Sequence, residues 1–302
     1  MNNELDTLQI NFDESGLWIL NIALAIIMFG VALGITIEDF KRLINNPKIL
    51  FTGVFSQFIL FPAVTFLFVI LLKPSPSIAL GMFMVAACPG GNISNFMTQM
   101  AKGNAALSVS MTAFATLISI LMTPLNFQVW SSLYEPTNEI LKTVEMNPYK
   151  LGKLVILILG IPLVLGMLFR NWKPTFALKV MKILKPFSIT VFMVLIIMAF
   201  SKNLDLFLEH IHYVLAIVVA HNLIGYLLGF YFAKTMKLNF KNQKTLSIET
   251  GIQNAGLGLL LVFTFFDGLG GMKLLVAFWA IWDILSGLLL ATYWARKHKK
   301  TA

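Results

Sequence analysis

The chain has 302 residues, of which 58% are hydrophobic and only 12% charged, with 26 Phe and 15 Met. A soluble domain carries about 25% charged residues, so this composition excludes that class and points to a helical protein of the membrane. A net charge of +9 would suit a nucleic-acid partner, but its distribution assigns it to topology, and the single cysteine, Cys88, excludes an intramolecular disulfide.

Residues 1–16, MNNELDTLQINFDESG, hold four acids and no Lys or Arg. They lack the basic start of a secretory signal and predict a short extracytoplasmic tail. Nine apolar segments follow, at about 17–37, 49–72, 78–100, 104–129, 151–169, 184–201, 212–233, 245–266 and 271–295. Each approaches the roughly 20 residues that a span requires. Alternation across the bilayer places 17 of the 23 basic residues on the side of loops 38–48, 101–103, 170–183 and 234–244 and of the tail 296–302. By the positive-inside rule that side is cytoplasmic and the N-terminus is outside. The expectation is an all-α polytopic protein of the cell (inner) membrane, with the lipid bilayer as surroundings, no nucleic-acid partner and no evident protein partner.

The layout carries an internal echo. Segments 49–129 form a triplet whose middle member is interrupted by PGGNISN at 89–95, and segments 212–295 form another, interrupted by ETGIQN at 249–254. The two triplets begin on opposite sides. Inverted repeats with interrupted central helices predict a secondary transporter whose site lies where the two broken helices cross at the midplane.

Broken backbone is excluded from hydrocarbon unless it faces protein or a water-filled cavity. Pro89 lacks an amide hydrogen, and Gly90 and Gly91 relax the helix, exposing polar groups near Asn92, Ser94 and Asn95. Ser108, Thr112, Thr116, Ser119 and Thr123 lie on one helical face. Alone, this stripe reads as close helix packing; beside the break, Ser108 and Thr112 offer neutral oxygens to an ion. An ionisable residue inside a span, here Glu249, is costly, about 2.5–3.5 kcal/mol for Asp on insertion scales, and marks function by default. One reading is a protonated acid bonded to a neighbouring helix; the other pools its carboxylate with Gln253, Asn254 and freed carbonyls around a hard cation, sodium. Gln57 fits either a helix-to-helix bond or a ligand role, and His221 and Asn222 read as caps or packing. No mid-span set of nucleophile and base, and no Cys/His cluster, supports a membrane enzyme. A channel or a non-transporting sensor remains the rival class.

At these residues the chain resembles the bile acid:sodium symporter family. The matching stretches are Ala87 to Asn95, Lys102-Gly103-Asn104 with Leu107-Ser108-Val109, and Ser247 to Asn254, supported by Met28 to Gly34, Asp39-Phe40-Lys41, Gln57 and Ala291 to Trp294. The resemblance implies a core domain (about 49–129 and 212–295) and a panel domain (about 17–37 and 151–201). It also implies two sodium ions. Ser94, Asn95, Ser108, Thr112 and Glu249 would hold one; Gln57, Glu249, Gln253 and the carbonyls of Thr250 and Ile252 would hold the other. Bacterial members of known architecture have ten spans, and nine here leave out the first, as in animal members. Asp283, in WAIWDILSG, stands where a similar bacterial protein has a cavity-lining His; it lines the substrate cavity or bonds a local hydroxyl such as Ser286. Two sodium ions and an ionised Glu249 leave one positive charge, which suits a small organic anion or bile-acid-like carboxylate bound through Asn92 and Asn254. An ionised Asp283 would instead favour a neutral or zwitterionic solute.

Overall fold

The computed structural model describes residues 14–143, 148–201, 204–266 and 269–299. Residues 1–13 of the expected outer tail and 300–302 of the basic tail lie outside them. Among the described residues the fold is all helical, with one isolated antiparallel bridge between Gly90 and Gln253.

Helix α1 (Glu14–Ala32) turns by 70° into α2 (Ile37–Ile44). Asp39 stabilises that corner by accepting from the Thr36 amide at 2.9 Å. Helix α3 (Pro47–Leu72) widens into a π turn at Ser56–Leu60. The cause is Pro62: its ring clashes with the carbonyl four residues back, and one wider turn relieves the clash. Helix α8 (Tyr149–Trp172) repeats the device, with a π turn at Ile156–Gly160 ahead of Pro162.

Two further helices are broken outright. Helix α4 (Pro76–Ala87) is followed by α5 (Ile93–Met100), and α11 (Phe240–Gly251) by α12 (Ala255–Phe265). The remaining elements are α6 (Ala105–Leu133), α7 (Glu135–Thr143), α9 (Pro174–Ser201), α10 (Leu204–Thr235) and α13 (Gly270–Lys299).

Each of the nine apolar segments falls on a helix or a broken pair. Among the described residues five helices are long and apolar enough to cross a membrane, or six with the bent α1–α2 pair. The chain is a multi-pass helical membrane protein. Three expected loops are much shorter than the sequence suggests: residues 37–44 are helical, only Lys173 separates α8 from α9, and α11 begins at Phe240. Polar residues at these ends continue the helices beyond the apolar stretches, where a hydropathy reading stops.

The two breaks meet. Gly91 N donates to Ile252 O at 2.9 Å, and Asn254 N donates to Pro89 O at 2.8 Å. Buried backbone groups in a bilayer must find partners within the protein, and here each break supplies the other's. The approach needs glycine: a Cβ on Gly91 would lie 2.7 Å from Gln253 O. Around the crossing, Leu80 and Met84 of α4, Leu260 of α12 and Met272 and Val276 of α13 form the packed core.

Gly91→Ala is expected to destabilise by about 1–3 kcal/mol, the cost of overpacking, and to lower the melting temperature in detergent. Gly152→Ala, whose new methyl would meet only Pro124 at 3.9 Å, is expected to melt like the wild type.

Candidate functional site

Glu249 lies in the last turn of α11, just before the crossing, and is 5% exposed. Three hydroxyls converge on its carboxylate. Ser94 of α5 donates to Oε1 at 2.6 Å, Ser108 of α6 donates to the same oxygen, and Thr112 lies 3.0 Å from Oε2. Asn95 joins through Thr112, whose hydroxyl is 3.3 Å from Asn95 Oδ1. Five residues separated by up to 155 positions thus form one oxygen cluster. The geometry follows from sequence: one turn of spacing puts Ser108 and Thr112 on the same face of α6, and the first break starts α5 so that Ser94 and Asn95 stand in its opening turn.

The rest of the stripe does other work. Thr116 and Ser119 bond to α6's own carbonyls, while Thr123 donates to Ala87 O at 2.8 Å and caps the exposed end of α4.

A second polar group sits on the other side of the crossing. The π turn of α3 directs Gln57 inward, where its Nε2 donates to Gln253 Oε1 at 2.7 Å and to Cys88 O at 3.1 Å. Gln253 Nε2 donates to Thr250 O at 2.7 Å, and Ser56 Oγ is 2.9 Å from Thr250 Oγ1. The Ile252 carbonyl accepts from Gly91. Within this group the Gln253 amide oxygen and the Thr250 carbonyl accept from the Gln57 and Gln253 side-chain amides, so these oxygens lie close together.

Asp283 of α13 is buried behind the second break. Its Oδ2 accepts from Gln253 N at 2.9 Å and its Oδ1 from Asn222 Nδ2 at 3.1 Å. Ser286, the local hydroxyl considered above, instead lies 3.0 Å from the Tyr226 hydroxyl and 3.5 Å from the Asp283 backbone carbonyl. Asn254 caps α12 by accepting from Leu257 N at 3.1 Å, whereas the half-buried Asn92 begins α5 without a side-chain cap.

Asn222, read from sequence as a cap or packing residue, also donates to Gly251 O at 2.9 Å and so braces the end of α11. His221 is fully buried, with Nε2 2.6 Å from Thr65 Oγ1 and its ring 5.0 Å from that of Phe61. It packs the core, as read. Among the described residues no three His, Cys, Asp or Glu side chains gather as a metal cluster.

Comparison with known proteins addresses the class. A family model described as Sodium Bile acid symporter family matches residues 21–210, more than half of the chain. The chain belongs to the sodium bile acid symporter family. An uncharacterised sodium-dependent transporter of Bacillus subtilis is 35% identical over 299 residues, covering 97% of this chain and 89% of the relative. A chloroplastic protein of Arabidopsis thaliana, named as a probable sodium/metabolite cotransporter, is 29% identical over 92% of this chain and 67% of its own length. A mouse sodium-dependent organic anion transporter is 28% identical, over 92% and 74%. These three relatives are named as transporters, and the chain is a transporter and not an enzyme.

Asp283→Ala would leave the buried Gln253 backbone amide, and one hydrogen of the Asn222 side-chain amide, without the acceptors they now have. An unmet buried donor costs about 1–3 kcal/mol, so thermal denaturation in detergent is expected at lower temperature. Asp283→Asn keeps one acceptor and is expected to lose less; equal melting of the alanine variant and the wild type would contradict the bracing role.

Proposed function

We propose that the chain is a symporter that couples sodium entry to uptake of a small organic anion by alternating access. The observation that carries this reading is the convergence of Ser94, Ser108 and Thr112 on Glu249 where two broken helices cross. A hard cation takes oxygen ligands, and this cluster offers a carboxylate, three hydroxyls and the Asn95 carbonyl oxygen, with no competing base. In the proposed loaded state the hydroxyls, which donate their hydrogens to Glu249, present their lone pairs to the ion.

A second sodium ion is assigned to Gln57, Gln253, Glu249 and the carbonyls of Thr250 and Ile252. Their present mutual bonds mean that the two glutamine amides must reorient for an ion to enter. The reading includes nine crossings arranged as inverted core repeats beside a panel, with the N-terminus outside and the C-terminus cytoplasmic. Seventeen of 23 basic residues on one side support that orientation.

Two sodium ions and an ionised Glu249 leave one positive charge, which a monoanion neutralises; a neutral load crosses low dielectric at least cost. Asn92 and Asn254, at the starts of α5 and α12, are assigned to the substrate, where helix N-termini also favour a carboxylate. The neutral or zwitterionic alternative needs Asp283 to face the solute. Both of its carboxylate oxygens already accept bonds from Asn222 and Gln253, which favours the anion. The organic anion named for the mouse relative points the same way.

The test is a sodium titration of thermal stability in detergent, with choline chloride holding ionic strength constant. A site filled to 100 times its Kd stabilises by about 2.7 kcal/mol, so the wild-type melting temperature is expected to climb and saturate. Glu249→Gln is expected to stay flat. A Gln variant that retains the full sodium response would refute the assignment. Uptake of labelled carboxylates into sodium-free vesicles, diluted into NaCl or into choline chloride, then identifies the substrate.

A further inference from the structure

Lys244 is 2% exposed, yet nothing in the proposed transport cycle uses it. It lies on α11, on the side of Glu249 away from the crossing. Its ammonium donates to Ala101 O at 2.5 Å and to Lys102 O at 2.9 Å, the carbonyls that end α5, and sits 5.3 Å from the centre of the Phe240 ring. Two neighbours on α11 reach the same loop. Thr245 Oγ1 accepts from Asn104 N at 2.8 Å, and Asn242 Oδ1 accepts from Asn104 Nδ2 at 2.9 Å. The loop is shaped to fit: Lys102 adopts a left-handed φ of 55°, and a Cβ on Gly103 would lie 2.9 Å from both Thr245 Oγ1 and Thr98 Cγ2.

The α5–α6 hairpin and α11 are therefore fastened at two places, the crossing and this loop, and the Ser94–Ser108–Glu249 cluster lies between them. Two rods pinned at both ends have a fixed gap. A cation at the cluster is sensitive to that gap, because oxygen ligands must stand within a few tenths of an ångström of their ideal distance.

We propose that Lys244 is a positioning residue for sodium: it clamps the end of α5 to α11 and so sets the spacing of the Glu249 oxygen cluster. The ammonium suits the task. Charge-assisted bonds to carbonyls are about twice as strong as neutral ones, and the negative end of the α5 dipole favours a cation there. This inference rests on the sodium-coupled reading above.

The experiment is the sodium half-saturation of thermal stabilisation, measured on the purified protein with NaCl against choline chloride, for wild type, Lys244→Met and Lys244→Arg. Lys244→Met is expected to raise the half-saturation concentration about tenfold, the change that 1.4 kcal/mol produces. Lys244→Arg, which keeps charge and donors, is expected to recover most of it. If Lys244→Met does not fold, the isosteric Thr245→Val removes the Asn104 acceptor and is expected to shift half-saturation in the same direction. A merely structural lysine would lower the sodium-free melting temperature and leave half-saturation unchanged, which overturns the proposal. So does tighter sodium binding in Lys244→Met, since that result makes the lysine a repelling charge instead of a clamp. Absence of any sodium response in the wild type would refute the coupling reading instead, a separate result from failure of the clamp.

Discussion

Backbone polar groups freed inside a bilayer have no water to bond, and the structure is organised around meeting that demand at one place. The two helix breaks run antiparallel past each other, and the amides and carbonyls of Pro89, Gly91, Ile252 and Asn254 satisfy one another. Asp283 and Asn222 brace the second break from behind, and Thr123 caps the end of α4 from the side. A pair of breaks with mutual bonding fixes where α5 and α11 begin and end. It thereby decides which side chains face each other across the crossing.

That constraint explains why a carboxylate is tolerated in the interior. Hydroxyls from two other helices surround Glu249, and both of its carboxylate oxygens accept hydrogen bonds. Hydroxyls are suited to such a post because they both donate and accept: they can bond a carboxylate and present lone pairs to a cation. Gln57 arrives by a different device, a π turn ahead of Pro62, and links α3 to the second break. The proposed ion sites thus use secondary-structure irregularities that would otherwise be faults in a membrane helix.

Much of this was legible in the sequence because its causes are local. Pro89-Gly90-Gly91 and the carboxylate in ETGIQN stand out in apolar segments, and one-turn spacing identifies the face of α6 that carries Ser108 and Thr112. Other features depend on distant partners. Nothing near Asn222 in the chain says that it braces Gly251, and nothing near Lys244 says that its ammonium ends a helix 143 positions away. The disturbance by Pro62 was readable in principle, since a proline inside a helix removes a hydrogen bond from the turn before it, but its form as a π turn was not, because Pro124 and Pro186 lie in helices that stay α. Helix ends were misplaced where hydropathy stopped but hydrogen bonding continued, as in residues 240–244 of α11, where Asn242 and Lys244 are buried.

The central claim is that an alkali cation is held at the crossing of the broken helices by oxygens around Glu249. Anomalous scattering from crystals soaked in thallium(I), an electron-dense stand-in for sodium, addresses it directly. The expected result is a peak within bonding distance of Glu249, Ser94 and Ser108 that is lost when sodium competes. An ordered, fully resolved crossing with no peak there, or thallium bound only at sites remote from Glu249, would contradict it.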